Sequence, residues 1–469
     1  MRLSWARLPN AAPGQWVELE GWLAPLPALP SPGYGLLTAQ PDCCLGCPPH
    51  PERTIEILAE TALPRASGGA IRLAGRWQPL PADDAAGWRW QLTEARPLDG
   101  GSGAPAGPWL SRRAALGGLP LVCVAANAGC ASPSPATDHL PRARALLAGA
   151  PAMDLHSHAG RVILSRDGPR PLTPIAAPMR DGGVRLIALA MVADTPVTQV
   201  VNGTRIQAMR DPLPGELLAH AQAAFARMAE VIGTQGLLVV TDQASLRATL
   251  LPGAAPAVLV AAEGADFLEG RPERLAAAFA QHRLRHLQLV HYRVNELGDI
   301  QTAPSVHGGL TDAGASVVRE CNSLGVLVDV AHASLPTVRG VVEVSRQPVV
   351  LSHTSLNNNP PGRTRTITSE HARAVAATGG VIGVWPPGTI FPTLRHYAEG
   401  IARLAEVVGA AHVGIGSDML GLISPAAFSN YRQTPELAAE LLAVGFSEAD
   451  AAGVLGGNFA RVLRQVLPG

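Results

Sequence analysis

The sequence predicts an α/β protein, a (β/α)8 TIM-like barrel preceded by a small all-β, OB-like domain. Three observations carry that prediction. Eight apolar, β-branched runs alternate with helical patterns between residues 152 and 418, as they do in a parallel barrel. Several of the runs end on a metal-binding side chain, and strand C-termini are where such a barrel gathers its functional groups. The first hundred residues carry only short strand-like runs between Pro- and Gly-rich turns, which is the spacing of a small β-barrel.

Size and charge agree with two folded units. A chain of 469 residues is longer than one barrel of about 250 residues needs, and an apolar fraction of 47% is ample for a large core. With 37 basic and 37 acidic residues there is no net field to attract nucleic acid or an anionic membrane, so a nucleic-acid partner is not expected. Every basic residue is arginine, which we read as codon bias. The six cysteines form no disulfide framework, and the barrel segment carries only Cys321, so it does not depend on redox compartment.

Tryptophan marks the boundary between the units. Seven of the eight lie at or before Trp109, whereas thirteen of the fourteen histidines follow Cys130. Residues 1–99 are expected to form the small β-barrel, with strands at Trp16–Pro25, Thr54–Glu60, Ala70–Leu80 and Gly87–Leu98. Its Cys-rich loop places Cys43, Cys44, Cys47 and His50 at ligand-like spacing. Both a zinc or redox site and a tight turn with reduced thiols fit that spacing; with no second ligand pair in this unit, the turn is expected.

Residues 100–137 read as a linker. Ser111-Arg112-Arg113 ahead of the apolar stretch Ala114–Ala128 resembles a twin-arginine export signal. Ala128-Gly129-Cys130 resembles a lipobox, and Ala131–Thr137 fits the tether that follows one. The expectations are a lipid anchor at Cys130 and a periplasmic or membrane-anchored protein if the signal works, and a cytoplasmic one otherwise. The apolar stretch is shorter than the about 20 residues of a spanning helix.

Residues 138–469 are expected to form the barrel domain. Its strands fall at Ala152–Ala159, Val184–Asp194, Ala257–Gly264, His286–Tyr292, Val326–His332, Pro348–Ser355, Val381–Pro387 and His412–Asp418. Helical patterns lie between them at Gly215–Ile232, at Thr311–Leu324 with Thr311 as N-cap, at Ser369–Thr378 with a Gly379-Gly380 stop, and at Tyr397–Val408. Residues Thr434–Val466 read as two further helices packed outside.

Asp154-Leu155-His156-Ser157-His158 puts two imidazoles at alternate positions of a strand, so both rings can face one ion. Other runs end on Glu263, His332 and His353. We read these strand ends as one metal site assembled from four strands. His282, His286, His307, His371 and His412 are expected to be structural.

Residues from about 152 to 466 resemble the membrane (renal) dipeptidase family of metallopeptidases. The matching stretches are Asp154–His158, Glu263–Asp266, His291–Asp299, Gly309–Gly314, Asp329–His332, Leu351–His353, Thr378–Gly383 and His412–Asp418, in family order. The resemblance implies two zinc ions per chain, with His156 and position 158 on one, His332 and His353 on the other, and Glu263 bridging both. A hydroxide between the ions would then attack the amide of a dipeptide. His291 would stabilise the oxyanion, Asp418 would move a proton from water to the leaving amine, and Arg365 would clamp the substrate's carboxylate. Arg363 lies in the same run. Family members are often dimers, which implies a homodimer.

One position departs from the family, which usually has aspartate where this chain has His158. A neutral ligand there raises the charge of the site by one unit, and two readings stay open for Asp154, a carboxylate that orients a ligand histidine from behind and a purely structural residue. The His156-Ser-His158 pair also permits an alternative, an amidohydrolase acting on an N-acyl amino acid, lactone or cyclic amide. A second alternative is a non-enzymatic, lipid-anchored binding protein, against which the full set of site residues argues.

Overall fold

The computed structural model describes residues 12–23, 34–38, 54–59, 63, 71–79, 90–98, 136–165, 170–201, 205–251, 253–357 and 364–469. The chain divides into two compact units, Met1–Cys130 and Ala131–Gly469. The Cys43–His50 loop, the Ser111–Cys130 segment and Arg363 lie outside the described residues.

The first unit is a closed all-β barrel. Its strands are β1 (Trp16–Leu23), β2 (Tyr34–Thr38), β3 (Thr54–Ala59), β4 (Ile71–Pro79) and β5 (Trp90–Pro97). They close in the order β1-β2-β3-β5-β4, antiparallel throughout except for the parallel pair β3–β5. Alternate residues such as Val17 and Leu19, or Ile55 and Ile57, point into one core with Leu73, Trp77 and Leu92, which is the period-two burial of a half-exposed strand. Trp77 stacks on Trp90 with ring centroids 5.0 Å apart. Four of the five strands follow the expected runs; β2 has only five residues and follows a Pro/Gly stretch, so its pattern is too short to read.

In the second unit the strands are β6 (Ala152–Ser157), β7 (Val184–Val192), β8 (Thr198–Val201), β9 (Arg205–Ala208), β10 (Leu238–Val240), β11 (Ala257–Glu263), β12 (His286–Gln288), β13 (Leu327–Asp329), β14 (Val350–Thr354), β15 (Val381–Val384) and β16 (Val413–Ile415). Eight of them, β11-β12-β13-β14-β15-β16-β6-β7, close through a β7–β11 pairing into a parallel barrel. They occupy the eight segments that the sequence predicts. The extra strand β10 lies beside the start of β11, and β8 with β9 forms a hairpin after β7. Neither interrupts the barrel.

The apolar runs are continuous because both faces of each strand are covered. On β7, Leu186, Ala188 and Ala190 join one buried cluster while Ile187, Leu189 and Met191 join another. Helices between the strands follow the expected patterns with shifted ends, as at Glu216–Gln235, Asp312–Leu324, Ser369–Ala377 and Leu394–Val408. Thr311 caps its helix by accepting the Gly314 N–H. The C-terminal region differs from the expected pair of helices: it runs as Thr434–Ala443, Glu448–Ala452 and Asn458–Val466, the last two joined by a π-helical turn at Gly453–Gly457. Three glycines in that turn remove the side chains that would hold an unbroken α-helix. No helix among the described residues is long and apolar enough to cross a membrane.

Candidate metal centre

Five strand ends supply the ligand-type side chains. His156 lies within β6 with His158 just beyond it; Glu263 ends β11, His353 lies in β14, and His332 and Asp418 stand three residues past β13 and β16. All six are buried. His332 and Asp418 take the left-handed backbone region, with φ of 66° and 49°. Non-glycine residues tolerate this only when their surroundings demand it, so both are held for position rather than for local comfort.

The four histidines converge on the two oxygens of Glu263. Oε2 lies 3.2 Å from His158 Nε2. Oε1 lies 3.2 Å from His332 Nε2, 3.4 Å from His353 Nε2 and 3.5 Å from His156 Nε2. The histidines form two pairs, with Nε2 atoms 3.1 Å apart in His156–His158 and 3.1 Å apart in His332–His353. Asp418 Oδ1 stands 3.3 Å from His158 Nε2 and 4.0 Å from His156 Nε2. Among the described residues three overlapping groups, His156/His158/Asp418, His156/Glu263/His353 and Glu263/His332 with the neighbouring His291, have geometry that could hold an ion.

The donor set fits divalent cations. His158 Nδ1 donates to the Ala190 carbonyl over 2.8 Å, so in the neutral ring Nε2 carries a lone pair. It faces another imidazole nitrogen at 3.1 Å, close to the about 3.4 Å between two nitrogens on a tetrahedral zinc. The field points the same way. Against burial, which favours the neutral ring, Asp418 and Glu263 raise the His158 imidazole to about 10; this corner of the site stabilises a positive charge. Burial, together with Arg365 and His291 for His332 and with His156 for His353, holds those two rings well below their usual range. Neutral imidazoles are the form that ligates.

Around the cluster stand residues that motif spacing alone does not reveal. Asp194, at the turn after β7, accepts from His291 Nδ1 at 2.7 Å and from the Tyr292 backbone N–H at 3.0 Å. Although burial opposes it, Asp194 and Glu263 raise the His291 imidazole above its usual value. The ring's Nε2 then lies 3.4 Å from Glu263 Oε1. Arg365 Nη1 donates to Gln301 Oε1 at 2.9 Å, and Nη2 donates to the His353 carbonyl at 3.4 Å. Gln301 is itself tied to the site by its backbone N–H, 2.8 Å from the His332 carbonyl. Trp385 donates its indole N–H to Asp418 Oδ2 at 3.1 Å.

Asp154 does not reach a ligand ring. Its Oδ1 accepts the backbone N–H groups of His156 and Ser417 at 3.2 and 2.9 Å, and its Oδ2 accepts the Tyr431 hydroxyl at 2.7 Å. It thereby fixes the backbone of His156 and joins β6 to the turn after β16. The histidines expected to be structural are so placed: His286 Nε2 meets Asp329 at 3.1 Å, His282 stacks on Phe225, and His307 and His412 bond to backbone carbonyls. His371 Nδ1 meets the Thr368 hydroxyl at 3.1 Å.

The family model described as membrane dipeptidase (peptidase family M19) matches residues 214–467, more than half of the chain. Among curated proteins, dipeptidase aclJ of Aspergillus oryzae is 34% identical over 192 residues, 39% of this chain and 45% of that protein. Dipeptidase verJ of Clonostachys rogersoniana is 31% identical over 192 residues, 39% of this chain and 48% of that protein. The chain thus spans about half the length of the curated relatives it matches. Among solved structures, an amidohydrolase from Pseudomonas aeruginosa superposes with a TM-score of 0.55 at 21% identity, over 69% of this chain and 98% of that one. A metallo peptidase from Rhodobacter sphaeroides, liganded with a phosphinate mimic of the dipeptide L-Ala-D-Ala, superposes with a TM-score of 0.53 at 20% identity, over 67% of this chain and 99% of that one. At these identities the two structures share the fold, and the family model carries the assignment: the chain belongs to the membrane dipeptidase family, peptidase family M19.

Proposed function

We propose that the protein is a zinc-dependent dipeptidase that binds two ions, one between His156 and His158 and one between His332 and His353, with Glu263 shared. The observation that carries this reading is the place of the Glu263 carboxylate between the two histidine pairs, with Oε2 3.2 Å from His158 and Oε1 3.2, 3.4 and 3.5 Å from His332, His353 and His156. When bound, two zinc ions supply an acidified water and Lewis acidity at the scissile carbonyl.

The remaining steps belong to the chain's own side chains. Arg365, steadied by Gln301 and the His353 carbonyl, takes the free carboxylate of the substrate in a bidentate fork. His291, oriented through Nδ1 by Asp194, presents Nε2–H to the developing oxyanion; a preformed donor needs no reorganisation during reaction. Asp418 accepts the proton of the attacking water at Oδ1 and passes it to the leaving amine. Burial of the whole set excludes bulk water and strengthens each of these interactions.

A second reading is favoured by His158, where the family usually has aspartate. A site with one more positive charge suits an amidohydrolase acting on an N-acyl amino acid, lactone or cyclic amide. The resemblances of Ser111–Cys130 add a proposal of location: export followed by lipidation of Cys130.

The test is a panel of L,L-, L,D- and N-acylated dipeptides with metal content measured by mass spectrometry, run on the wild type and on Glu263→Gln. We expect turnover of dipeptides with a free carboxylate, two metals per chain, and loss of both in the variant, since a neutral amide cannot bridge two cations. A Glu263→Gln protein that keeps two metals and a near-normal rate would sink the binuclear assignment. Turnover confined to acylated substrates would favour the second reading.

A further inference from the structure

Seven of the eight tryptophans lie in the first 109 residues, and the eighth, Trp385, stands alone in the barrel domain. It immediately follows β15 and is clamped from both sides of its backbone: its N–H donates to the Thr354 carbonyl at 2.6 Å, and its carbonyl accepts the Ser355 hydroxyl at 3.0 Å. The indole therefore leaves a rigid strand end rather than a free loop. Its N–H reaches Asp418 Oδ2 at 3.1 Å, and the Arg365 guanidinium carbon lies 5.7 Å from its ring centroid.

We propose that Trp385 is a positioning residue that orients the Asp418 carboxylate for proton transfer and, through its ring face, steadies Arg365. Asp418 stands in the left-handed backbone region at a strand end, and its side chain has two oxygens that could exchange places by rotation. The indole N–H holds Oδ2, which leaves Oδ1 facing His158 at 3.3 Å and His156 at 4.0 Å. A single oxygen is thereby presented to the reacting water, and the rotation that would withdraw it is blocked. The ring face meanwhile offers Arg365 a cation–π partner. One side chain sets the spacing between the group that moves the proton and the group that grips the substrate. This proposal rests on the dipeptidase reading for the roles of Asp418 and Arg365.

Trp385→Phe removes the N–H and keeps an aromatic face, whereas Trp385→Leu removes both. On the best substrate of the panel, Trp385→Phe is expected to lower kcat about ten- to a hundredfold, the range for losing a hydrogen bond to a charged group, with KM within about twofold. Trp385→Leu is expected to lower kcat similarly and also raise KM several-fold. A merely structural role would not divide the two constants in this way. A Trp385→Phe enzyme with wild-type kcat and intact metal content overturns the proposal on any substrate. A wild type that hydrolyses acylated substrates but no dipeptide overturns the functional reading and leaves the Trp385 comparison in force. A substrate-free measurement covers a variant that fails to fold. In 15N spectra of the metal-loaded protein, the indole N–H resonance of Trp385 is expected to move in Asp418→Asn, and an unmoved resonance also overturns the proposal.

Discussion

His158 is the residue on which the choice between the two proposed chemistries turns. It occupies a place where the family usually has aspartate, yet its Nε2 meets Glu263 Oε2 and Asp418 Oδ1 at 3.2 and 3.3 Å. Its Nδ1 is anchored on the Ala190 carbonyl, so the barrel wall fixes the ring with Nε2 toward the two carboxylates. The turn above has adapted to it: a Cβ on Gly421 would lie 2.4 Å from the His158 ring and 2.0 Å from Asp418 Oδ1. His158→Asp is expected to keep the fold, lower the positive charge of the site, and preserve or increase dipeptide hydrolysis. Steady-state kinetics with zinc content measured alongside check this. Full zinc occupancy with no activity on any dipeptide would favour the acylated or cyclic substrates instead.

At the scale of elements, the segment between β12 and the helix Asp312–Leu324 supports the site through one carboxylate. Asp299 accepts the Ser305 hydroxyl at 2.7 Å and the backbone N–H groups of Val306, His307 and Gly309 at 2.9 to 3.0 Å. Two residues later, Gln301 bonds both Arg365 and the His332 carbonyl. The order of the segment therefore sets the position of Arg365, the carboxylate clamp proposed above. Burial pushes the Asp299 carboxyl upward, but these donors hold it below its usual value. A carboxyl depressed in the folded state contributes stability at pH above its unfolded value, about 3.9, and loses it as pH falls through the folded value. Asp299→Asn is accordingly expected to destabilise the protein by about 2 kcal/mol at pH 7. The gap from wild type should begin to close below about pH 4. Thermal melts of both proteins across pH 3–7 measure it; a gap that does not change with pH would mean that the charge contributes nothing.

At the scale of the whole molecule, the prediction concerns the export and lipidation proposed for Ser111–Cys130. Arg112→Lys with Arg113→Lys is expected to stop export, because a lysine pair does not reproduce the twin-arginine signal. If the segment is exported and lipidated as proposed, Cys130→Ala is expected to release the protein from the membrane by removing the thiol that would be acylated. Fractionation of cells expressing the full chain, with immunodetection of each variant, checks both outcomes. A full-length protein that stays in the cytoplasm whichever residues are changed would leave Ser111–Cys130 as a relic or a buried segment.

The eight barrel strands and the strand-end positions of His156, Glu263, His332, His353 and Asp418 could be read from the chain alone. Strand period, apolar runs and turn residues are local properties, and a parallel barrel always turns the same ends of its strands toward one face. What the sequence could not show is which groups hold those residues in place. Asp194 and His291 are 97 residues apart, Gln301 and Arg365 are 64 apart, and Asp154 and Tyr431 are 277 apart. No periodic pattern links such pairs, because each partner lies on a different strand end or loop and only closure of the barrel brings them within hydrogen-bond reach. Trp385 shows both sides of this. Its solitude in the barrel domain is plain in the sequence, but its contact with Asp418 exists only because β15 and β16 are neighbours in the closed sheet.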